Sequence, residues 1–108
     1  MVDRFAVYAD PTPYGAKHGW FAQHELTEII RYQTEEDAKG DLAAIANNFG
    51  PVGLRAKEVN ADQGYARMVD GNGRLVAVLE VAEIEQAERR RRRARTAKRP
   101  ARTRRPDS

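Results

Sequence analysis

Apolar positions along the chain change their period several times. Residues 4–9 alternate, with Phe5, Val7 and Ala9 on one side and Arg4, Ala6 and Tyr8 on the other. That period of two predicts a half-buried strand. Two prolines and a glycine follow in residues 10–15, and they predict a loop. Residues 19–23 (GWFAQ) are expected to form a second strand, antiparallel to the first. Within 25–33 the pattern is mixed: Leu26, Ile29 and Ile30 suit a helical turn, and Ile29, Ile30 and Tyr32 suit a short strand. The preferred reading is a turn of helix running into an extended 31–33.

The clearest helix is 34–49. Ala38, Leu42, Ile45, Ala46 and Phe49 recur at helical spacing and make one apolar stripe. Thr34 supplies an N-cap, and Glu35, Glu36 and Asp37 place negative charge where the helix dipole favours it. Gly50-Pro51 ends the run. Gly40, inside it, costs about 1 kcal/mol relative to alanine. Strands are expected at 54–59, 65–69 and 74–81, the last two flanking the hairpin signal Asp70-Gly71-Asn72-Gly73. Leu75, Ala77, Leu79 and Val81 would face one way, and Val76, Val78 and Glu80 the other. The second set is partly apolar too, which predicts a central or doubly covered strand. A helix should begin between residues 80 and 83, with Glu83, Glu85 and Glu88 in its first turns and Glu85–Arg89 and Glu88–Arg92 as i,i+4 pairs.

The expected fold is α+β: an antiparallel sheet of four to five strands packed on one central helix, 34–49, with a C-terminal helix running into an arginine-rich tail. The domain reading is a small α+β body at 1–82, a charged helix at 83–96 and a basic, disordered tail at 97–108. The single tryptophan, Trp20, is expected to close one end of the core, with an exposed partner anchor as the alternative.

The run Arg31-Tyr32-Gln33-Thr34-Glu35-Glu36-Asp37-Ala38 resembles a pattern in small phage-encoded α+β proteins: an aromatic, a threonine cap, an acidic first turn and an alanine behind a hairpin. The resemblance covers residues 4–59 and carries over no functional residues.

Charge changes the picture. Residues 1–88 hold 8 Lys+Arg and 15 Asp+Glu, a net of −7, whereas residues 89–108 hold 11 Lys+Arg and one Asp, a net of +10. There are no cysteines, which rules out disulfides, thiol nucleophiles and thiolate-bound metal and fits a reducing compartment. No window approaches the ~20 apolar residues of a membrane span, and the N-terminus lacks a signal-peptide core, so a cytoplasmic location is expected.

Candidate chemistry is thin. His24-Glu25-Leu26-Thr27-Glu28 begins like a zinc-protease motif but places Glu28 at the second ligand. Asp70-Gly71-Asn72-Gly73 begins like a calcium loop, but Arg74 replaces an oxygen ligand. The only serine is Ser108, and His18 and His24 read as surface histidines. A non-enzymatic protein without cofactor or metal is expected. The functional signal is Arg89, Arg90, Arg91, Arg92, Arg93, Arg95, Lys98, Arg99, Arg102, Arg104 and Arg105. Five successive arginines surround a helix and make no amphipathic stripe. Guanidinium groups pair with phosphate, and released counterions give affinity without sequence reading. The expected partner is the DNA or RNA backbone, with the acidic body not binding it. The alternative is a phage or mobile-element accessory protein whose acidic body binds a host or virion protein.

Overall fold

The computed structural model describes residues 2–21 and 26–98, with side chains as far as residue 93. The element order is β1 (Phe5–Pro11), α1 (Pro13–Lys17), β2 (Thr27–Tyr32), α2 (Glu35–Asn47), a 3₁₀ turn (Gly50–Val52), β3 (Arg55–Asn60), β4 (Tyr65–Val69), β5 (Leu75–Glu83) and α3 (Ile84–Lys98). The five strands form one antiparallel sheet in the order β2-β1-β5-β4-β3. The chain is therefore α+β, and β5 is the central strand.

Successive residues of β1 feed opposite faces. Val7 and Ala9 are buried in one cluster with Ala38, Leu42, Ile45 and Ala46 of α2 and with Ala66, Met68, Ala77 and Leu79. Ala6 and Tyr8 are buried in a second cluster with Leu26 and Ala87 of α3. The Thr34 cap closes α2 as its sequence implies: Thr34 Oγ1 accepts from Asp37 N at 3.1 Å.

Several expectations are corrected. Residues 10–15 are not a loop. β1 runs on to Pro11, and Pro13–Lys17 is a helix capped by Thr12, whose Oγ1 accepts from Gly15 N at 3.1 Å. Pro13 sits at the start of that helix, where its missing N–H costs nothing. Thr12 N donates to Val76 O of β5, so the nitrogen of Pro11 faces the β2 side. The β1–β2 pairing has already ended there, at Ala9↔Thr27, and no ladder bond is lost. The second strand is not at 19–23. Gly19, at φ 81°, closes α1 with its N–H on Ala16 O and turns the chain off an extended path. Residues 22–23 of that expected strand lie outside the described residues. The strand that pairs with β1 is Thr27–Tyr32, so the helical turn expected within 25–33 is absent from 27–32. A bulge explains the ambiguity: Val7 pairs with Ile30 and Tyr8 with Glu28, leaving Ile29 as an extra residue that breaks the alternation.

Lys57 is likewise the extra residue in β3, between Ala56↔Met68 and Glu58↔Arg67. In β5 it is Val76, between Leu75↔Val69 and Ala77↔Met68. β5 is central, as expected, but the third bulge corrects the facing of its first two residues: Val76 is buried in the same cluster as Ala77 and Leu79, while Leu75 is exposed. The strand also continues to Glu83, paired with Phe5, so Glu83 is not in the helix, which starts at Ile84.

Candidate nucleic-acid interface

The sheet face that holds Tyr8 is charged. The register sets Glu28, Tyr8, Glu80 and Tyr65 side by side across four strands, and places Arg67 opposite Glu58. The α3 helix turns back over this face: Ala87 is buried against it, and Arg90 Nη1 donates to Glu80 Oε1 at 2.5 Å. That bond, together with the nearby carboxylate of Asp10, raises the Arg90 pKa further. Asp10 is itself pushed up, chiefly by burial and then by Glu80, with Arg90 opposing.

The arginine run is therefore divided. Arg89 pairs with Glu85 at 3.4 Å, Arg90 with Glu80, and Arg91 with Glu88 at 3.0 Å. The expected Glu88–Arg92 pair is replaced by Glu88–Arg91, because Arg91 lies partly buried on the sheet side with its carboxylate partner. Arg92 and Arg93 are exposed and make no ion pair among the described residues. Arg95 and Lys98 belong to α3, but their side chains are not described; Arg99, Arg102, Arg104 and Arg105 lie outside the described residues, as does His24. Exposed pairs of this kind contribute about 0–1 kcal/mol each. They orient the helix more than they hold it.

Under the helix, Tyr8 is fully buried and its hydroxyl has no hydrogen-bond partner among the described residues, nor has Arg91 Nε. Burial pushes the Tyr8 phenol up, and the carboxylates of Glu28 and Glu88 add to this.

A second cluster forms where α1 meets the β4–β5 hairpin. Tyr14 donates its hydroxyl to Asp70 Oδ2 at 2.5 Å. Asp70 Oδ1 accepts from Asn72 N at 2.9 Å and Arg74 N at 3.0 Å. The Tyr14 bond, and then the backbone donors, hold the Asp70 carboxyl below the usual carboxylate range. The Arg74 guanidinium lies over the Tyr14 ring at 4.1 Å, the His18 ring is 4.3 Å from Tyr14, and Trp20 is 5.9 Å from His18. Trp20 also packs against the main core and donates Nε1–H to Val52 O at 3.4 Å. Sequence reasoning passed over this cluster. Its signal was present in Thr12-Pro13, a cap followed by a proline, which marks a helix start.

Among the described residues no helix is long and apolar enough to cross a membrane. No family model, no curated protein and no solved structure matches this chain.

Proposed function

We propose that this is a non-enzymatic cytoplasmic protein that binds DNA or RNA through the arginines of α3 and the chain beyond it, with little sequence specificity. The reading takes α2 as the helix on which the sheet is organised and α3 as the root of the basic extension. The observation that carries it is the division of the run. Arg89, Arg90 and Arg91 are occupied by carboxylates, whereas Arg92 and Arg93 stand exposed without one at the start of the most basic part of the chain. Phosphate contacts of this kind position a protein without specifying a sequence.

The salt dependence of binding tests it. With ~5–8 phosphate contacts, log K against log[salt] should have a slope of about −4 to −7 on duplex DNA, and a shallower one on single strands. Changing Arg92 and Arg93 together to Gln should flatten the duplex slope by about 2 and lower affinity by similar factors on every sequence. An unchanged slope would remove α3 from the interface.

A second reading has its own observation. A hollow of about 430 Å³ beside the start of α2 is lined by Glu35, Glu36, Lys39 and Asp62. In that reading a phage or mobile-element accessory protein offers this acidic surface to a basic host or virion protein. A pulldown whose partner is lost on Glu35→Gln with Glu36→Gln would favour it.

A further inference from the structure

The acidic body is not acidic everywhere. Its eight cations divide evenly among the described contacts: Arg4, Arg31, Lys39 and Arg67 pair with carboxylates, and Lys17, Arg55, Lys57 and Arg74 do not. Three of these last four gather at one end of the sheet. Arg55 is in register with Val69, and Val69 with Leu75, which follows Arg74. Lys17 closes α1, which is fixed to the same end by Thr12 Oγ1 donating to Leu75 O at 2.8 Å. Three segments build this end, residues 11–21, 49–56 and 68–77, and Asp70 is their only acidic residue; Asp10, the next residue back along β1, lies with Glu80 and Arg90. Its charge is turned inward: it is buried and already accepts from Tyr14, Asn72 and Arg74.

Flat groups cluster among these cations. The Arg74 guanidinium lies 4.1 Å over the Tyr14 ring, and the rings of Tyr14, His18 and Trp20 form a triangle with sides of 4.3, 5.9 and 6.1 Å, in which His18 and Trp20 are near-parallel and Tyr14 is tilted to both. Arg74 and His18 are exposed, and Tyr14 and Trp20 are half-buried. Single-stranded nucleic acid is recognised by this pairing of chemistries: cations for the backbone, and aromatic or guanidinium planes on which splayed bases stack. A duplex offers phosphates but keeps its bases stacked within itself, and an acidic peptide has no use for the planes.

We infer that the α1–hairpin end of the sheet is a second nucleic-acid contact, selective for single strands, at which bases stack on the exposed planes of the Arg74–Tyr14–His18–Trp20 cluster and phosphates meet Lys17, Arg55 and Arg74. It shares a partner class with the α3 reading but none of its residues, and it reverses the expectation that the body does not bind.

Trp20 is the chain's only tryptophan, so it reports on its own site. The full chain is titrated at low salt with oligothymidylate, with inorganic polyphosphate and with polyglutamate, following tryptophan fluorescence. Mobility shift on the oligonucleotide is measured in parallel. Oligothymidylate should quench Trp20 and the other two should not. His18→Ala, and separately Lys17→Gln with Arg74→Gln, should weaken the quenching isotherm by at least about five-fold. A chain with 89–93 changed to Gln should still be quenched. A mobility shift without any change in fluorescence would overturn this site and leave the α3 reading standing. Equal quenching by polyphosphate would overturn the stacking, and stronger quenching by polyglutamate would overturn the partner class. Loss of quenching in the 89–93 variant would show that the end of the sheet is no site of its own.

Discussion

Alanine at Gly15 and at Gly40 should move stability in opposite directions, although both glycines lie inside helices. A Cβ at Gly15 would collide with the carbonyl oxygen of Val76 and come within 2.8 Å of its Cγ1. The obstacle is backbone, and it cannot rotate away. Thr12 N also donates to that oxygen at 2.9 Å, so α1 has to lift off β5 to make room. Overpacking of this kind costs about 1–3 kcal/mol, and the strained or broken Thr12 bond about 0.5–1.5 kcal/mol more. Alanine's better helix propensity returns about 1 kcal/mol. The net is a loss of about 0.5–3.5 kcal/mol. At Gly40 a Cβ meets nothing within 4 Å, so only the propensity gain of about 1 kcal/mol remains. In thermal melts each kcal/mol shifts the midpoint by roughly 4–8 °C in a domain of this size. Gly15→Ala should therefore melt below the parent and Gly40→Ala above it. A Gly15→Ala protein as stable as the parent would refute the close approach, and a Gly40→Ala protein that melts lower would refute the open helix face.

The remaining predictions concern single side chains. Leu42 is fully buried, and Leu42→Ala should cost about 2–5 kcal/mol in a denaturant titration. Asp41 is exposed, yet Tyr32 donates its hydroxyl to Asp41 Oδ2 at 2.9 Å, so Asp41→Ala should cost about 0.5–1.5 kcal/mol where its exposure alone implies no effect. Burial and then this bond push the Tyr32 phenol up to about 12. A phenol raised above its unfolded value of 10.0 contributes stability in full below that pH, and the contribution is lost as pH rises towards 12. Tyrosinate absorbance should show late titration by Tyr8, Tyr14 and Tyr32, and one of these late steps should move earlier in Asp41→Ala. Asp70 has the opposite sign. Its folded pKa is depressed, so its contribution is complete above pH 3.8 and falls away as pH drops through the lower folded value. Tyr14→Phe should shrink that acid-side loss, and an unchanged acid profile would rule out the Tyr14 bond as its main cause.

Local signals carried much of the fold in the sequence. Thr34, three acids and Gly50-Pro51 bracketed α2 to within two residues, and Asp70-Gly71-Asn72-Gly73 placed the β4–β5 hairpin. What failed was alternation across bulges. One extra residue at Ile29 made β2 look partly helical, and one at Val76 put Leu75 and Val76 on the wrong faces of β5, while Ala77, Leu79 and Val81 were placed correctly. Pro11 and Pro13 were counted as loop makers, although one occupies an unpaired edge and the other a helix start. The arginine run was legible as composition, but its division was not: Glu80 and Arg90 are ten residues apart and meet only because α3 folds back on the sheet. The Tyr14–Arg74 contact, sixty residues apart, had no sequence signal at all.

Both outer strands carry a bulge, at Ile29 in β2 and at Lys57 in β3. A protein that collects along a polyanion experiences a local concentration far above that of free solution. Neighbouring copies with straight, regular edges would then zip into a continuous sheet. An extra residue in each border interrupts the donor–acceptor rhythm that a second copy needs, and Lys57 adds a positive charge to the β3 edge. Under the proposed binding, copies crowded on one polyanion would meet interrupted edges rather than a shared sheet.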